Sequence, residues 1–224
     1  MLRRAAIVCK AIEGEVRLVL PPDMEIRSVE QGLHRTPLKL TESLQQEIDS
    51  LDVDEILMGY GQCGNGVVGL HSSRARLIVP DVDDCITLLL GSVKRYREEF
   101  LSEPGTYWLS QGWIEHSEDP YKEYLRCVDK YGEETALWVA GEMMKGYHRL
   151  VLIDSGTCPL AEVREYAQTF ASFFKLEYSE MNGSDSFFRS LVSSEWNGHH
   201  FVVVEPGEVI TREMFTPTLG LANG

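Results

Sequence analysis

The chain has 224 residues, 43% hydrophobic and 25% charged, an ordinary globular composition with length enough for one large domain or two small lobes. Its 35 acidic residues outnumber 21 basic ones, for a formal charge of -14. That balance speaks against nucleic-acid backbones and anionic leaflets as partners. No stretch of the sequence is apolar enough for a membrane span.

Two arginines, Arg3 and Arg4, precede an apolar run that ends at Lys10, too short for the core of a secretory signal. The expectation is a cytoplasmic protein with neither membrane nor nucleic acid as partner, and the sequence leaves homo-oligomerisation open. In a reducing compartment the five cysteines, Cys9, Cys63, Cys85, Cys127 and Cys158, are ligands, nucleophiles or core filler and not disulfides.

Short apolar runs at Ala5 to Ile12 and Val16 to Leu20 predict two strands separated by a turn. A helix follows over Thr41 to Leu51, with Thr41 as its cap and Leu44, Ile48 and Leu51 on one face. Glu55 to Gly59 and Arg76 to Val79 predict strands, and Asp83 or Asp84 caps the longest helix, which carries Ile86, Leu89, Leu90, Val93 and Phe100. The second half continues with an extended segment at Thr106 to Leu109 and helices near Tyr121 to Lys130 and Glu133 to Gly146. A strand at Leu150 to Ile153, a helix at Ala161 to Phe174, a strand near Leu176 to Tyr178, a helix at Asp185 to Val192 and a strand at Phe201 to Val204 complete the chain. This alternation predicts an α/β fold, a mostly parallel sheet flanked by helices. The reading is a single domain over 1–224, open to division into two Rossmann-like lobes. These would be a metal- or thiol-binding lobe at 1–110 and a covering lobe at 111–224, with a hinge in Ser110 to Asp119.

Open α/β sheets bind ligands beyond the carboxyl ends of their strands. Four metal-competent residues are expected at such ends: Cys9, His34, Cys63 and Cys85. Three thiolates and an imidazole suit tetrahedral zinc, and an iron–sulfur cluster is the alternative. Cys85 opens a helix whose N-terminal dipole favours a thiolate. Gly64, Asn65 and Gly66, next to Cys63, form a run suited to an anion-binding nest. None of the cysteine spacings is of the CxxC type, and each thiol alone reads equally as a small buried hydrophobe.

The stretches Gly59-Tyr60-Gly61-Gln62-Cys63-Gly64-Asn65-Gly66-Val67-Val68-Gly69-Leu70 and Asp84-Cys85-Ile86-Thr87-Leu88-Leu89-Leu90-Gly91-Ser92 resemble signatures of an uncharacterised prokaryotic family catalogued as a domain of unknown function. Pro104-Gly105-Thr106-Tyr107-Trp108 and Gly112-Trp113-Ile114-Glu115 extend the resemblance, which runs from Cys9 to the Val202-Val203-Val204-Glu205-Pro206 segment. The resemblance implies cysteines matching Cys9, Cys63 and Cys85 and a Gly-Leu-His matching Gly32 to His34. It also implies genes that neighbour corrinoid-dependent methyltransferases. Where the family has His-Asp-Cys, this chain has Asp83-Asp84-Cys85, so Asp83 stands in place of that histidine.

Other candidates read more plainly. Cys127 fits an amphipathic helix, Cys158 a loop, and His71, His116, His148, His199 and His200 the surface. Tyr107, Trp108 and Trp113 either roof a flat cofactor or pack in the core. Asp154 to Thr157 is either a polar-ligand loop or a turn. No Walker loop, GxGxxG, GxSxG or HExxH is present.

The expected function is a metal-thiolate protein, zinc first, in corrinoid-linked methyl transfer or one-carbon metabolism. Cys9, His34, Cys63 and Cys85 are the metal ligands, with Asp83 and Asp84 orienting them at the catalytic centre. Gly64, Asn65, Gly66 and Trp113 contact the cofactor or substrate. The alternative is a non-catalytic carrier of a metal, an iron–sulfur cluster or a corrinoid for a methyltransferase partner; a small-molecule sensor is the third. The partners expected are a small-molecule substrate or a corrinoid protein, the corrinoid arriving through that partner.

Overall fold

The computed structural model of the chain describes residues 2–194, 196 and 200–216; His199 lies outside them. β1 (Arg4–Cys9) is buried from Ala5 onward and runs into a 3₁₀ turn, Lys10–Ile12, and then α1 (Glu13–Arg17). The expected strand over Val16 to Leu20 is thus a correction. Glu15 and Val16 are buried side by side while Leu18 is 62% exposed, which is the burial of a helical turn and not of alternating strand faces. The second strand lies later, as β2 (Glu25–Val29), a polar segment buried only at Val29.

A second 3₁₀ turn, Gln31–Arg35, carries His34 and leads to α2 (Pro37–Ser50), whose buried face is Leu40, Leu44 and Ile48. Pro37, which needs no amide partner in a first turn, starts this helix. Thr41 is therefore not its cap, and its hydroxyl donates to the carbonyls of Pro37 and Gly66. β3 (Glu55–Gly59) and β4 (Arg76–Pro80) are almost wholly buried. The expected long helix is two helices, α3 (Cys85–Leu90) and α4 (Val93–Ser102). The break is Gly91, whose φ of 70° is left-handed and where a Cβ would lie 2.4 Å from the Ser184 Cβ.

β5 (Thr106–Leu109) is followed by α5 (Gln111–His116), capped by the Ser110 hydroxyl. This helix occupies Gln111–His116 of the segment from Ser110 to Asp119. α6 (Pro120–Tyr131), α7 (Glu133–Met143), β6 (Arg149–Asp154), α8 (Leu160–Phe174), β7 (Glu177–Asn182), α9 (Ser186–Ser193) and β8 (Phe201–Val204) complete the order.

The fold is mixed α/β, with a five-stranded sheet in the order β2-β1-β3-β4-β8 and a three-stranded sheet β5-β6-β7, both flanked by helices. All pairings are parallel except β4 with β8, which is antiparallel. β5, which precedes residue 110, pairs in the second sheet, and β8, far beyond it, pairs in the first. In the first sheet the chain leaves β1 towards β2 on one side and returns to β3 on the other. The carboxyl ends of β1 and β3 thus flank a topological switch point, where doubly wound sheets place their ligands. The two sheets meet closely on one side of that point. A Cβ on Gly112 of α5 would sit 2.1 Å from the Ala11 carbonyl oxygen, and buried Glu15 accepts a 2.6 Å hydrogen bond from the Ser155 hydroxyl beyond β6.

Candidate functional site

Cys9 is the last residue of β1 and Gly59 the last of β3, with Val8 and Gly59 in register. Side-chain room at this point is minimal: a Cβ on Gly59 would approach Val8 Cγ1 to 2.8 Å, and one on Gly61 the Val82 carbonyl oxygen to 2.6 Å. These glycines let the chain after β3 lie flat against β1 and against the loop after β4. Two backbone hydrogen bonds fasten those loops together, Gln62 N–H to the Val82 carbonyl (2.8 Å) and Cys63 N–H to the Asp83 carbonyl (2.9 Å). Cys63 is consequently held beside Asp84 and Cys85. It has a left-handed φ of 47°, as do Gly64 (66°) and Asn65 (70°), a conformation unfavourable for a cysteine and one that collects at functional loops.

Asp84 fixes the other side. One carboxylate oxygen accepts from the amides of Ile86 (3.0 Å) and Thr87 (3.2 Å), capping α3, and the other accepts from the Tyr96 hydroxyl (3.1 Å). Burial pushes its pKa up against the pull of these bonds. Cys85, first residue of α3, accepts the Trp113 indole N–H at 3.4 Å, so a side chain from α5 reaches the thiol across the gap between the sheets.

That gap is a cleft of about 330 Å³ lined by His34, Cys63, Gly64, Asp84, Cys85 and Ile86 on one side and by Thr106, Tyr107, Trp108, Trp113 and Tyr147 on the other. No lysine or arginine lines it. Cys9, Cys63 and Cys85 are 2%, 7% and 5% exposed. Burial raises the Cys9 thiol to about 12 and carries Cys63 and Cys85 further above their ordinary value. Charge on Cys9 adds to the rise at Cys63, and charge on Asp84, Cys63 and Cys9 to that at Cys85. Burial is the leading cause at all three and favours the neutral thiol. His34 is half-buried, its Nδ1 2.8 Å from the Gln31 carbonyl oxygen, and burial lowers its pKa, favouring neutral imidazole.

The sequence reasoning missed Tyr60. It is fully enclosed, its ring stacked with His34 at 6.0 Å between centroids. Its hydroxyl is buried without a hydrogen-bond partner, and charge on Cys9, Cys63 or Cys85 would act on it directly. The only sequence signal was a large aromatic between two glycines just after β3.

The structure thus gathers His34, Cys63, Gly64, Asp84, Cys85 and Trp113 at one cleft, whereas Cys9, buried at the end of β1, does not line it. Asn65 is exposed and Gly66 buried against Leu40, its carbonyl held by Thr41; neither lines the cleft, and nor does Asp83. Among the described residues no group of three or more His, Cys, Asp or Glu is set closely enough to hold a metal ion. Thiol and imidazole donors are of the kind that suits a soft ion. Cys127 is buried on α6, and Cys158 is half-exposed in the loop after β6.

A family model described as "Protein of unknown function (DUF1638)" matches residues 28–192. No curated protein and no solved structure matches the chain.

Proposed function

From the premise that the chain belongs to this family of unknown function, DUF1638, we propose that the cleft is a thiolate centre for a soft metal ion, zinc first, serving a small and largely apolar molecule. The observation that carries it is a cleft at the switch point of the sheet lined by the buried thiols Cys63 and Cys85 together with His34 and Asp84, with Cys9 buried at the end of β1. Thiolate-rich sets select zinc or iron–sulfur clusters over hard cations. Cys9, Cys63 and Cys85 would hold the ion, and neutral His34 would be the fourth ligand or a proton shuttle. Zinc bound there supplies Lewis acidity that lowers the pKa of a substrate thiol.

The chain's own groups do the rest. Trp113 restrains Cys85 through its indole N–H, and Asp84 fixes the loop that presents it. Tyr107, Trp108 and Tyr147 wall the cleft. The reaction proposed is transfer of a methyl group from a methylated corrinoid to a substrate thiol, which gives up its proton to form the thioether; the link to methyl transfer comes from the gene neighbourhood that the family resemblance implies. A space of about 330 Å³ is at the small end of ligand pockets, so a corrinoid would act from a partner protein.

The second reading is a non-catalytic carrier or accessory protein for a methyltransferase. The observation favouring it is the outer face of α6 and α7, where Leu125, Leu137 and Trp138 are 49%, 47% and 68% exposed. Methyl transfer to a thiol by the isolated protein, seen or not seen, separates the two.

The test of the thiolate centre is replacement of Cys9, Cys63 and Cys85 singly by Ser in protein purified without oxygen. Each variant is expected to bind zinc at least about tenfold more weakly than wild type. Full metal content in all three would overturn the proposal.

A further inference from the structure

The helices α6 and α7 are joined through Gly132 and pack on each other, and α7 is apolar on both of its sides. Its inner stripe is Ala136, Ala140 and, at its end, Met144, all buried. The bulkier Leu137 and Trp138 lie on the other side, 47% and 68% exposed. A helix built this way carries more apolar surface than its own fold covers. Gly141 is exposed three residues beyond Trp138, and a Cβ there would meet nothing within 4 Å. Among the described residues nothing occupies that space, although glycine weakens a helix interior.

Glu134, Trp138, Gly141 and Lys145 are all exposed, and their spacing of four, three and four sets them along one seam, with Lys145 in the turn that ends the helix. Read in the opposite direction, this seam is its own complement. In an antiparallel pair about a twofold axis between Trp138 and Gly141, each Trp138 meets the other copy's Gly141, and each Glu134 the other copy's Lys145. We propose that the seam is the interface of a homodimer, α7 against α7, with Trp138 of each copy filling the notch at Gly141 of the other. Within its own chain Lys145 reaches Glu142 at 3.6 Å, an exposed pair that water screens. Residues 120–147 carry four basic and five acidic side chains, so little of the chain's charge of -14 opposes the approach of a second copy here. Self-complementarity favours that second copy over an unrelated protein on this face. The inference does not depend on the thiolate centre, and it takes the face from the accessory-protein reading.

The experiment follows the full chain by sedimentation equilibrium from low micromolar to several hundred micromolar. The average mass is expected to rise towards twice that of one chain, with a blue shift of tryptophan emission as Trp138 leaves water. Trp138→Ser is expected to weaken association about 30-fold or more, the loss typical of an aromatic anchor at the centre of an interface. Gly141→Gln is expected to weaken it too, yet to melt at or above wild type in dilute solution, since a glycine has left a helix. Glu134→Lys and Lys145→Glu each place like charges opposite one another. Each alone is expected to weaken association at least about threefold, and the two together to restore it. A monomer at every concentration would overturn the proposal, as would association that ignores Trp138→Ser and Gly141→Gln. Failure of the charge-swapped double variant to recover would overturn the antiparallel seam. A chain that stays monomeric until a corrinoid methyltransferase is added would overturn the homodimer in favour of that partner.

Discussion

The four most enclosed thiols differ from the fifth by access. Cys9, Cys63, Cys85 and Cys127 are all under 9% exposed, whereas Cys158 is half-exposed. Reaction with a disulfide reagent needs an accessible thiolate. Native, metal-free protein should therefore show one fast-reacting thiol, removed by Cys158→Ser, and all five only after unfolding. A fast phase that survives Cys158→Ser would mean that a cleft thiol is accessible, contrary to the structure. Cys9, Cys63 and Cys85 were legible as a set because each could be placed at a strand's carboxyl end. Tyr60 was not, because burial of a hydroxyl without a partner is a property of the packed state. Asn65 and Gly66 were expected at the cofactor, but the left-handed turn from Cys63 to Asn65 leaves one in solvent and aims the other at Leu40.

Among the elements, those with a clear hydrophobic period stand where the sequence put them: β3, β4, β6, α8 and β8. The misreadings have local causes. β2 is a sheet-edge strand of Glu25-Ile26-Arg27-Ser28-Val29, and an edge strand with one buried residue lacks alternation. The long helix was broken by Gly91, whose left-handed backbone caps α3 and leaves Ser92 to cap α4. α5 matters most for the site, since it carries Trp113 to Cys85 and packs its Gly112 on Ala11. Gly112→Ala places a methyl group against a backbone carbonyl that has little freedom to retreat. We predict a loss of about 1–3 kcal/mol in denaturant unfolding and a weakened Trp113 contact, visible as a change in tryptophan fluorescence. Unchanged stability and emission would show that the two sheets do not meet as closely as described.

At the scale of the molecule, the α/β class followed from the alternation of runs, but the sheet order did not. Only the order β2-β1-β3-β4 brings the ends of β1 and β3 to a switch point, and nothing local in the sequence specifies it. The charge of -14 governs pH behaviour through particular pairs. Burial alone would raise the Glu13 carboxylate, but hydrogen bonds from Lys10, Ser28 and Arg17 prevail and hold it at about 2. A carboxylate with a free-chain pKa of about 4.3 thus stabilises the fold above that pH, and the contribution is lost as pH falls towards 2. Thermal melts between pH 5 and 2 should show a steeper decline in wild type than in Glu13→Gln; parallel declines would remove Glu13 from the account.

The central claim is that the cleft is a thiolate metal centre. The most direct measurement is the metal content of wild-type protein purified without oxygen, with the absorption spectrum after cobalt(II) is offered in place of the native ion. The account predicts about one zinc per chain and a thiolate-to-cobalt band. Protein that carries no metal and takes up neither zinc nor cobalt would contradict it.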